Sequence, residues 1–317
     1  MDVCLVGRFV GCQVGYLTHE SKIATIEPEA KSKSFLIRDQ EGKTVWRTKH
    51  ATTKKSPFSS KIRQEIDFSS ITKPGRYTLV AGRHQQSFII SSDPYTEALK
   101  ASIKGYYYQR SGESLERKYA GEYTRPAAHL DTHVMVHPSA ASPKRPAGTI
   151  ISSPKGWYDK CDEDIQELAT SSFHSIFGNS AQDFHWGSNS ESCLGRGIAQ
   201  MYEYALTKDS KYRQAALSTL DYFFGRNATG YCYLTGFGTQ RVMNIHHRIS
   251  AADNIKEPVP GLVAGGANKG QEDAEFVPAY ASNIPDESYQ DNVGSYASNE
   301  IAINWNAYLV SLLGWIN

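Results

Sequence analysis

The chain has 317 residues, and its 34 Lys plus Arg nearly cancel its 33 Asp plus Glu, leaving a formal net charge of +1. That balance gives no global field to draw nucleic acid or an acidic membrane surface, and no apolar run approaches the roughly 20 residues needed to span a bilayer. The length allows about two domains. Aromatic residues make up 11 %, with 19 Tyr and 5 Trp, a supply of flat, hydrogen-bonding surface that suits sugars and ordinary cores alike.

The start, "MDVCLVGRFVGCQVGYL", is apolar but has no basic leader and no long apolar segment. It reads as strand rather than signal peptide. Either the chain is cytosolic, or its export signal lies outside this sequence. Residues 1–93 continue as β. The runs "KIATIE", "SKSFLIRD", "TVWRTK", "GRYTLVAG" and "QSFIISS" are separated by turns such as "DQEGK" and "TKPGRY". About six or seven such strands predict an immunoglobulin-type β-sandwich. The Cys…Trp…Cys pattern of antibody domains is absent.

At Asp93 the period becomes helical. Pro94 suits a first turn after Asp93 as cap, and Tyr95, Leu99, Ile103 and Tyr107 share one face. A second stripe holds Leu194, Ile198, Met201 and Ala205. A third holds Tyr212, Ala216, Leu220 and Phe224 and ends at Gly225. The last holds Ile301, Trp305, Tyr308, Leu312 and Trp315. Between them lie irregular, Gly- and Pro-rich stretches, 113–160 and 225–295, of a length that usually carries a site.

Two acidic groups stand out. "GWYDKCDED" sets Asp159 and Asp162 three residues apart. The bland reading is a helix N-terminus at Asp162, since Ile165 and Leu168 follow. The functional reading is one aspartate accepting a water's proton while the other orients that water. A calcium set with Glu163 and Asp164 would lack the EF-hand loop. The other group is Glu300 in "YQDNVGSYASNEIAINWNA", expected to open the final helix with Ser298 and Asn299 as caps. By position alone it is a first-turn acid facing the helix dipole. The crowd of Asp291, Asn292, Tyr296, Asn299, Asn304 and Trp305 favours instead a carboxylic acid desolvated beside aromatics, as a general acid needs.

"NIHHRIS" puts His246, His247 and Arg248 in a loop, either as donors to hydroxyl groups or as solvated side chains. His129, His133 and His137 recur at a helical spacing, but Pro126 and Pro138 bracket them and "VMV" is β-like, so no zinc site is expected there. Five cysteines without a C-x-x-C pair argue against a disulfide framework or zinc knuckle.

These residues resemble glycoside hydrolase family 9, the cellulase family with an immunoglobulin-like domain ahead of an (α/α)6 barrel. "QVGY" and "DFSSITKPGRYTL" look like its N-terminal module. "YYYQRSG", "HPSAAS" and "RPAGTIISSPKGWYD" look like the entry to its catalytic domain. "FHWGSNS", "GRNATGY", "TGFG", "HHR", "SAAD", "EPVPG" and "DNVGSYASNEIAINWNA" look like its C-terminal third. The resemblance implies a multidomain β plus α chain, with an immunoglobulin-like β-sandwich over 1–93 and an incomplete (α/α)6-barrel-type helical domain over 94–317. It implies Glu300 as the acid, Asp162 as the base and Asp159 as its helper. It puts His246 and Arg248 on sugar hydroxyls, and Tyr296 and Asp291 on the substrate side of the site. The implied reaction is inverting hydrolysis of cellulose-type β-1,4-glucan by an endoglucanase. The implied partner is a polysaccharide or oligosaccharide, with no nucleic acid and no membrane. The implied place is extracellular or periplasmic.

The chain departs from the family in three ways. D-A-G-D has become Asp159-Lys160-Cys161-Asp162, with Cys where Gly permits a positive φ and a cation beside the carboxylates. "EDIQEL" replaces the usual continuation past the second Asp. Only 21 residues, 163–183, separate Asp162 from Phe184, where the family has most of its barrel. The lost part carries most aromatic subsites and the family's calcium site, so no cofactor and no metal are expected. A zinc-ligating Cys near Ser111 is absent too. Loss of mid-barrel helices implies impaired activity. It also implies uncovered helical faces, Leu194–Ile198–Met201 for instance, open to self-association, each large side chain forgoing about 1.5–3 kcal/mol of burial. Two alternatives stay open: a non-catalytic remnant or glucan-binding protein, and a related exo-acting β-glycosidase such as a glucosaminidase.

Overall fold

A computed structural model describes residues 9–27, 34–56, 58–82, 84–108, 114–126, 146 and 172–316. Asp159 and Asp162, with Lys160 and Cys161 between them, lie outside the described residues, as do Ser111, His129, His133 and His137. The first ninety residues form strands β1 (Phe9–Val10), β2 (Tyr16–Leu17), β3 (Ile23–Ile26), β4 (Phe35–Arg38), β5 (Thr44–Thr48), β6 (Thr52–Lys55), β7 (Ile62–Asp67), β8 (Gly75–Ala81) and β9 (His84–Ser91). They make two sheets, ordered β1-β3-β7-β6 and β2-β9-β8-β4-β5. Neighbours run antiparallel except β2, which lies parallel to β9. Period-two burial in β8 turns Tyr77, Leu79 and Ala81 inward. Tyr16 meets Phe68 and Phe88 edge-on at 5.2 and 5.6 Å, the arrangement the ring quadrupole favours.

The described helices are α1 (Thr96–Tyr108), α2 (Arg117–Ala120), α3 (Arg196–Thr207), α4 (Ser210–Phe223), α5 (Arg248–Ala252), α6 (Tyr296–Asn299) and α7 (Ile303–Ile316). The chain divides into two compact units, residues 1–105 with 161–317, and residues 106–160. In the smaller unit Leu115 and Arg125 exchange backbone hydrogen bonds of 2.8 and 3.3 Å beside α2, and Arg125 Nη2 donates to Tyr108 O at 3.2 Å.

In the larger unit the sandwich and the helices pack together. A π-helical turn over Asn189–Gly195 leads into α3. Leu194, Ile198 and Met201 are buried, which corrects the expectation of an uncovered face there. The cover is α7 and α4: a Cβ on Gly197 would stand 2.7 Å from Leu312 Cδ2 and 3.4 Å from Thr219 Cγ2. The exposed large apolar side chains of these helices are Tyr202 and Leu206 on α3 and Ile303 and Trp315 on α7. Trp315 is therefore off the buried stripe, which runs through Asn306, Leu309, Leu312, Leu313 and Ile316 at the usual helical spacing.

Helix α1 also turns a different face inward. Ala98, Ser102 and Gly105 are buried while Ile103 is exposed. The reason is a close backbone approach. Gly261 passes so near that a Cβ on it would lie 2.1 Å from Ala101 O, and its φ of +85° suits glycine. The buried amide of Asn306 closes this contact. It donates to Ser102 O at 3.3 Å and Gly261 O at 2.6 Å and accepts from Val263 N at 2.9 Å.

Polar side chains tie the sandwich to the helices. Gln13 donates to Gly230 O at 3.0 Å and accepts from Thr239 N and Gln240 N at 2.8 and 3.0 Å. Arg226, 1 % exposed, donates to Asp221 Oδ2 at 2.6 Å, Ile23 O at 3.2 Å, Phe173 O at 2.8 Å and His174 O at 2.7 Å. Burial pushes the Asp221 carboxyl up, and Arg226 opposes that push. Glu65 pairs with Lys54 at 2.8 Å and His174 at 3.2 Å. Burial acts to raise its pKa, but hydrogen bonds from His174 and Lys54 win and hold it at about 2.

Replacing Arg226 with Met leaves the buried Asp221 carboxyl without its ion-pair partner. The expected loss is about 3–5 kcal/mol, read by urea unfolding. Glu65, with a folded pKa of about 2 against a usual 4.5, stabilises the fold above the higher value and loses that contribution as pH falls through the lower one. Glu65→Gln is therefore expected to be less stable than the parent at pH 6, with the gap closing as unfolding is repeated toward pH 2.

Candidate active site

Glu300 does not open the last helix. It caps the single turn of α6 with φ −66° and ψ 158°, and α7 starts at Ile303. Its backbone is extended because chain segments distant in sequence bond it from both sides. His246 N donates to Asn299 O at 2.8 Å and Gly265 N donates to Glu300 O at 2.9 Å. Residue 300 bridges His246 in parallel, and residue 301 bridges Ala264 antiparallel. The acid thus sits on a very short strand between two loops.

The Glu300 carboxylate accepts one side-chain bond from the described residues, from Trp186 Nε1 at 2.9 Å. Trp186 is set by the turn after it. Gly187 has φ +79°, and a Cβ there would stand 2.6 Å from Trp305 Cζ2. Ser188 Oγ donates to Ala267 O at 2.8 Å, and Asn189 bonds Gly265 O and Ala264 O at 2.9 and 3.0 Å. The same stretch, 264–267, therefore positions both Trp186 and Glu300.

Tyr296 lies 5.1 Å from the Trp186 ring and 6.2 Å from His246, and its hydroxyl donates to Glu272 O at 2.7 Å. His246 Nδ1 lies 2.6 Å from Val293 O. A carbonyl only accepts, so Nδ1 is the donor, which fixes the ring and leaves Nε2 for another partner. Arg248 is exposed in the first turn of α5, and His247 is that helix's cap residue.

Asp291, expected on the substrate, has both oxygens engaged by the protein. It accepts from Met243 N at 3.0 and 3.1 Å, Asn244 N at 2.8 Å, Asn244 Nδ2 at 3.2 Å and Asn299 Nδ2 at 3.1 Å. Asn299 in turn donates to Asn244 O at 2.6 Å and accepts from Tyr289 OH at 2.6 Å. Together they hold the His246 loop against the Glu300 segment.

Of the residues named from sequence, the structure brings Glu300, His246 and Tyr296 together, with Asp291 behind them. It adds Trp186, Tyr289 and Phe276, which sequence reasoning did not single out. Trp186 lies in the "FHWGSNS" motif, which does not by itself mark the tryptophan as a partner of Glu300. Among the described residues no group of three or more His, Cys, Asp or Glu is placed to hold a metal ion. No helix among them is long and apolar enough to cross a membrane.

A carboxyl group among aromatic rings, on a helical domain behind an immunoglobulin-like sandwich, is the build of a glycoside hydrolase. Residues 163–313 match glycosyl hydrolase family 9, and residues 12–86 match the cellulase N-terminal ig-like domain. The xyloglucan-specific endo-beta-1,4-glucanase of Bacteroides ovatus is 26 % identical over 543 aligned residues, spanning 95 % of this chain and 92 % of that protein. This chain brings only 317 residues to that alignment, so the match contains a long gap. A cellodextrinase of Butyrivibrio fibrisolvens is 38 % identical over 137 residues, 42 % of this chain and 24 % of that protein. A solved Bacteroides ovatus GH9 structure shares the fold with a TM-score of 0.83 at 24 % identity, covering 97 % of this chain and 98 % of that one. Residues 163–313 thus match the glycosyl hydrolase family 9 catalytic domain, and residues 12–86 match the ig-like domain that precedes it in cellulases.

Asp291→Ala removes a charged acceptor of several hydrogen bonds. The expected cost is about 1.5–3 kcal/mol. Hydrogen exchange should quicken in residues 243–247 and 296–300 while the sandwich amides keep their protection.

Proposed function

We propose that the chain is a β-1,4-glucan hydrolase of the endoglucanase kind that acts with inversion. The observation that carries this reading is the placement of Glu300: an extended backbone pinned on both edges, with its carboxylate bonded to Trp186, whose ring meets Tyr296, itself beside His246. The Bacteroides ovatus relative named as an endo-beta-1,4-glucanase supports the linkage class.

On this reading Glu300 gives its proton to the oxygen of the leaving sugar. Asp162 takes a proton from a water on the opposite face, and Asp159 orients that water. The two carboxyls of an inverting pair stand roughly 6.5–9.5 Å apart to hold it. His246 Nε2 and Arg248 bond sugar hydroxyls beside the cleaved bond, and Tyr296 and Trp186 offer ring faces to the sugar. Asp291 acts through the loop it holds. A polymer substrate places the work outside the cytoplasm.

Turnover is reduced by the gap against longer relatives. Catalysis by two carboxyls depends on walls that keep both within reach of one bond, and small displacements are costly. The altered Asp159-Lys160-Cys161-Asp162 stretch, together with that gap, favours a second reading, a glucan-binding protein without turnover.

The test is reducing-end release from carboxymethylcellulose, xyloglucan and cello-oligosaccharides. Glu300→Gln is expected to lower the rate by about 10²–10⁴-fold, the usual worth of a general acid. Release that survives the change would remove Glu300 from the acid's role. Binding by the parent chain without release would support the second reading.

A further inference from the structure

We propose that Phe276 forms an additional sugar-stacking subsite, one ring further from the acid than Tyr296, which takes the apolar face of a pyranose unit of the same chain that Glu300 cleaves. The proposal rests on the glucan reading above and adds a specificity residue to it.

Phe276 is 72 % exposed. A single exposed phenylalanine would need no explanation, but this one is neither isolated nor loose. Its ring stands 6.5 Å from Tyr296, tilted by 45°. Tyr296 stands 5.1 Å from Trp186, and Trp186 bonds Glu300. Three rings thus lead outward from the acid. Val293, whose carbonyl fixes His246, is exposed as well and adds apolar surface.

The loop that carries Phe276 is built rather than draped. Asp273 is fully buried. Its carboxylate accepts from Tyr280 OH at 2.6 Å, Ser295 Oγ at 2.7 Å and Ala297 N at 2.8 Å. The last two belong to the turn that ends in Glu300. The backbone of Asp273 also accepts from Phe276 N at 2.8 Å. One buried residue therefore braces both the acid's segment and the turn that presents the ring. Gln271 adds bonds to Ser282 O at 3.0 Å and Ser288 Oγ at 2.8 Å. Gly294 lies close beneath, where a Cβ would stand 3.2 Å from Val277 Cγ1 and 3.5 Å from Phe276 O.

A solvent-facing ring beside another ring, on a braced turn, offers a flat apolar surface at small ordering cost. The C–H face of a pyranose is the chemical match, with hydroxyls left at the edge for water. A short oligosaccharide that fills only the places beside Glu300 would not reach this ring, whereas a longer one would.

The test is calorimetric titration in the Glu300→Gln background, where turnover does not interfere, with cellobiose and cellohexaose. Phe276→Ala is expected to weaken cellohexaose about 3–10-fold, the equivalent of one aromatic contact, and to leave cellobiose unchanged. Phe276→Trp is expected to keep the hexaose affinity. Unchanged hexaose binding in Phe276→Ala, or equal weakening of both sugars, would overturn the subsite while leaving the glucan reading in place. A Glu300→Gln chain that is folded by circular dichroism and binds neither sugar would overturn the glucan reading and the subsite with it.

Discussion

The site depends on the backbone bonds that hold Asn299, Glu300 and Ile301 extended. Gly265 takes the carbonyl of Glu300 and His246 takes that of Asn299. Without them the one-turn helix before Glu300 and the long helix after it would merge, and the carboxyl group would point wherever helical geometry sent it. With them, the acid belongs to a short bridge whose partners lie 54 and 35 positions back in the sequence. Those partners carry their own chemistry: the 246 segment brings His246, and the 264–267 segment anchors the turn of Trp186.

Buried polar side chains maintain this arrangement more than apolar bulk does. Asp273 caps the turn before Glu300, Asp291 and Asn299 hold the His246 loop, Asn189 bonds the 264–265 backbone, and Asn306 fastens 261–263 to α1 and α7. Each satisfies backbone groups that a loop inside a protein would otherwise leave unpaired. The long irregular stretch between Gly225 and Ser295 is thereby fixed without regular structure. The same logic joins the sandwich to the helices through Gln13, Arg226 and Glu65.

Much of the architecture could be read from sequence where apolar period decided it. Strands β3, β4, β5, β8 and β9 and helices α3 and α4 were legible in this way. Strands β6 and β7 were not, since "TTKK" and "IRQEID" carry few apolar residues; β6 is an edge strand and β7 is its neighbour. The faces of α1 and α7 were misjudged because contact there is made by small residues and by an amide, Ala98, Ser102, Gly105 and Asn306, rather than by the largest side chains. The Leu194 face was expected to be bare because a count of missing helices ignores how the remaining ones close on it. Glu300 was recognisable by its motif, but its extended backbone is set by distant partners that no local pattern reveals. Phe276 has no local signal, and its meaning comes only from the ring it meets. Asp159 and Asp162 lie outside the described residues, and their roles rest on the motif.

The central proposal is that Glu300 and Asp162 act as the acid and base of an inverting pair. The most direct measurement is the anomeric configuration of the first product released from a soluble β-glucan oligosaccharide, followed by proton NMR before mutarotation. The account predicts the α-anomer at first, since water attacks from the face opposite the leaving sugar. Initial formation of the β-anomer, or no product from a folded chain, would contradict it.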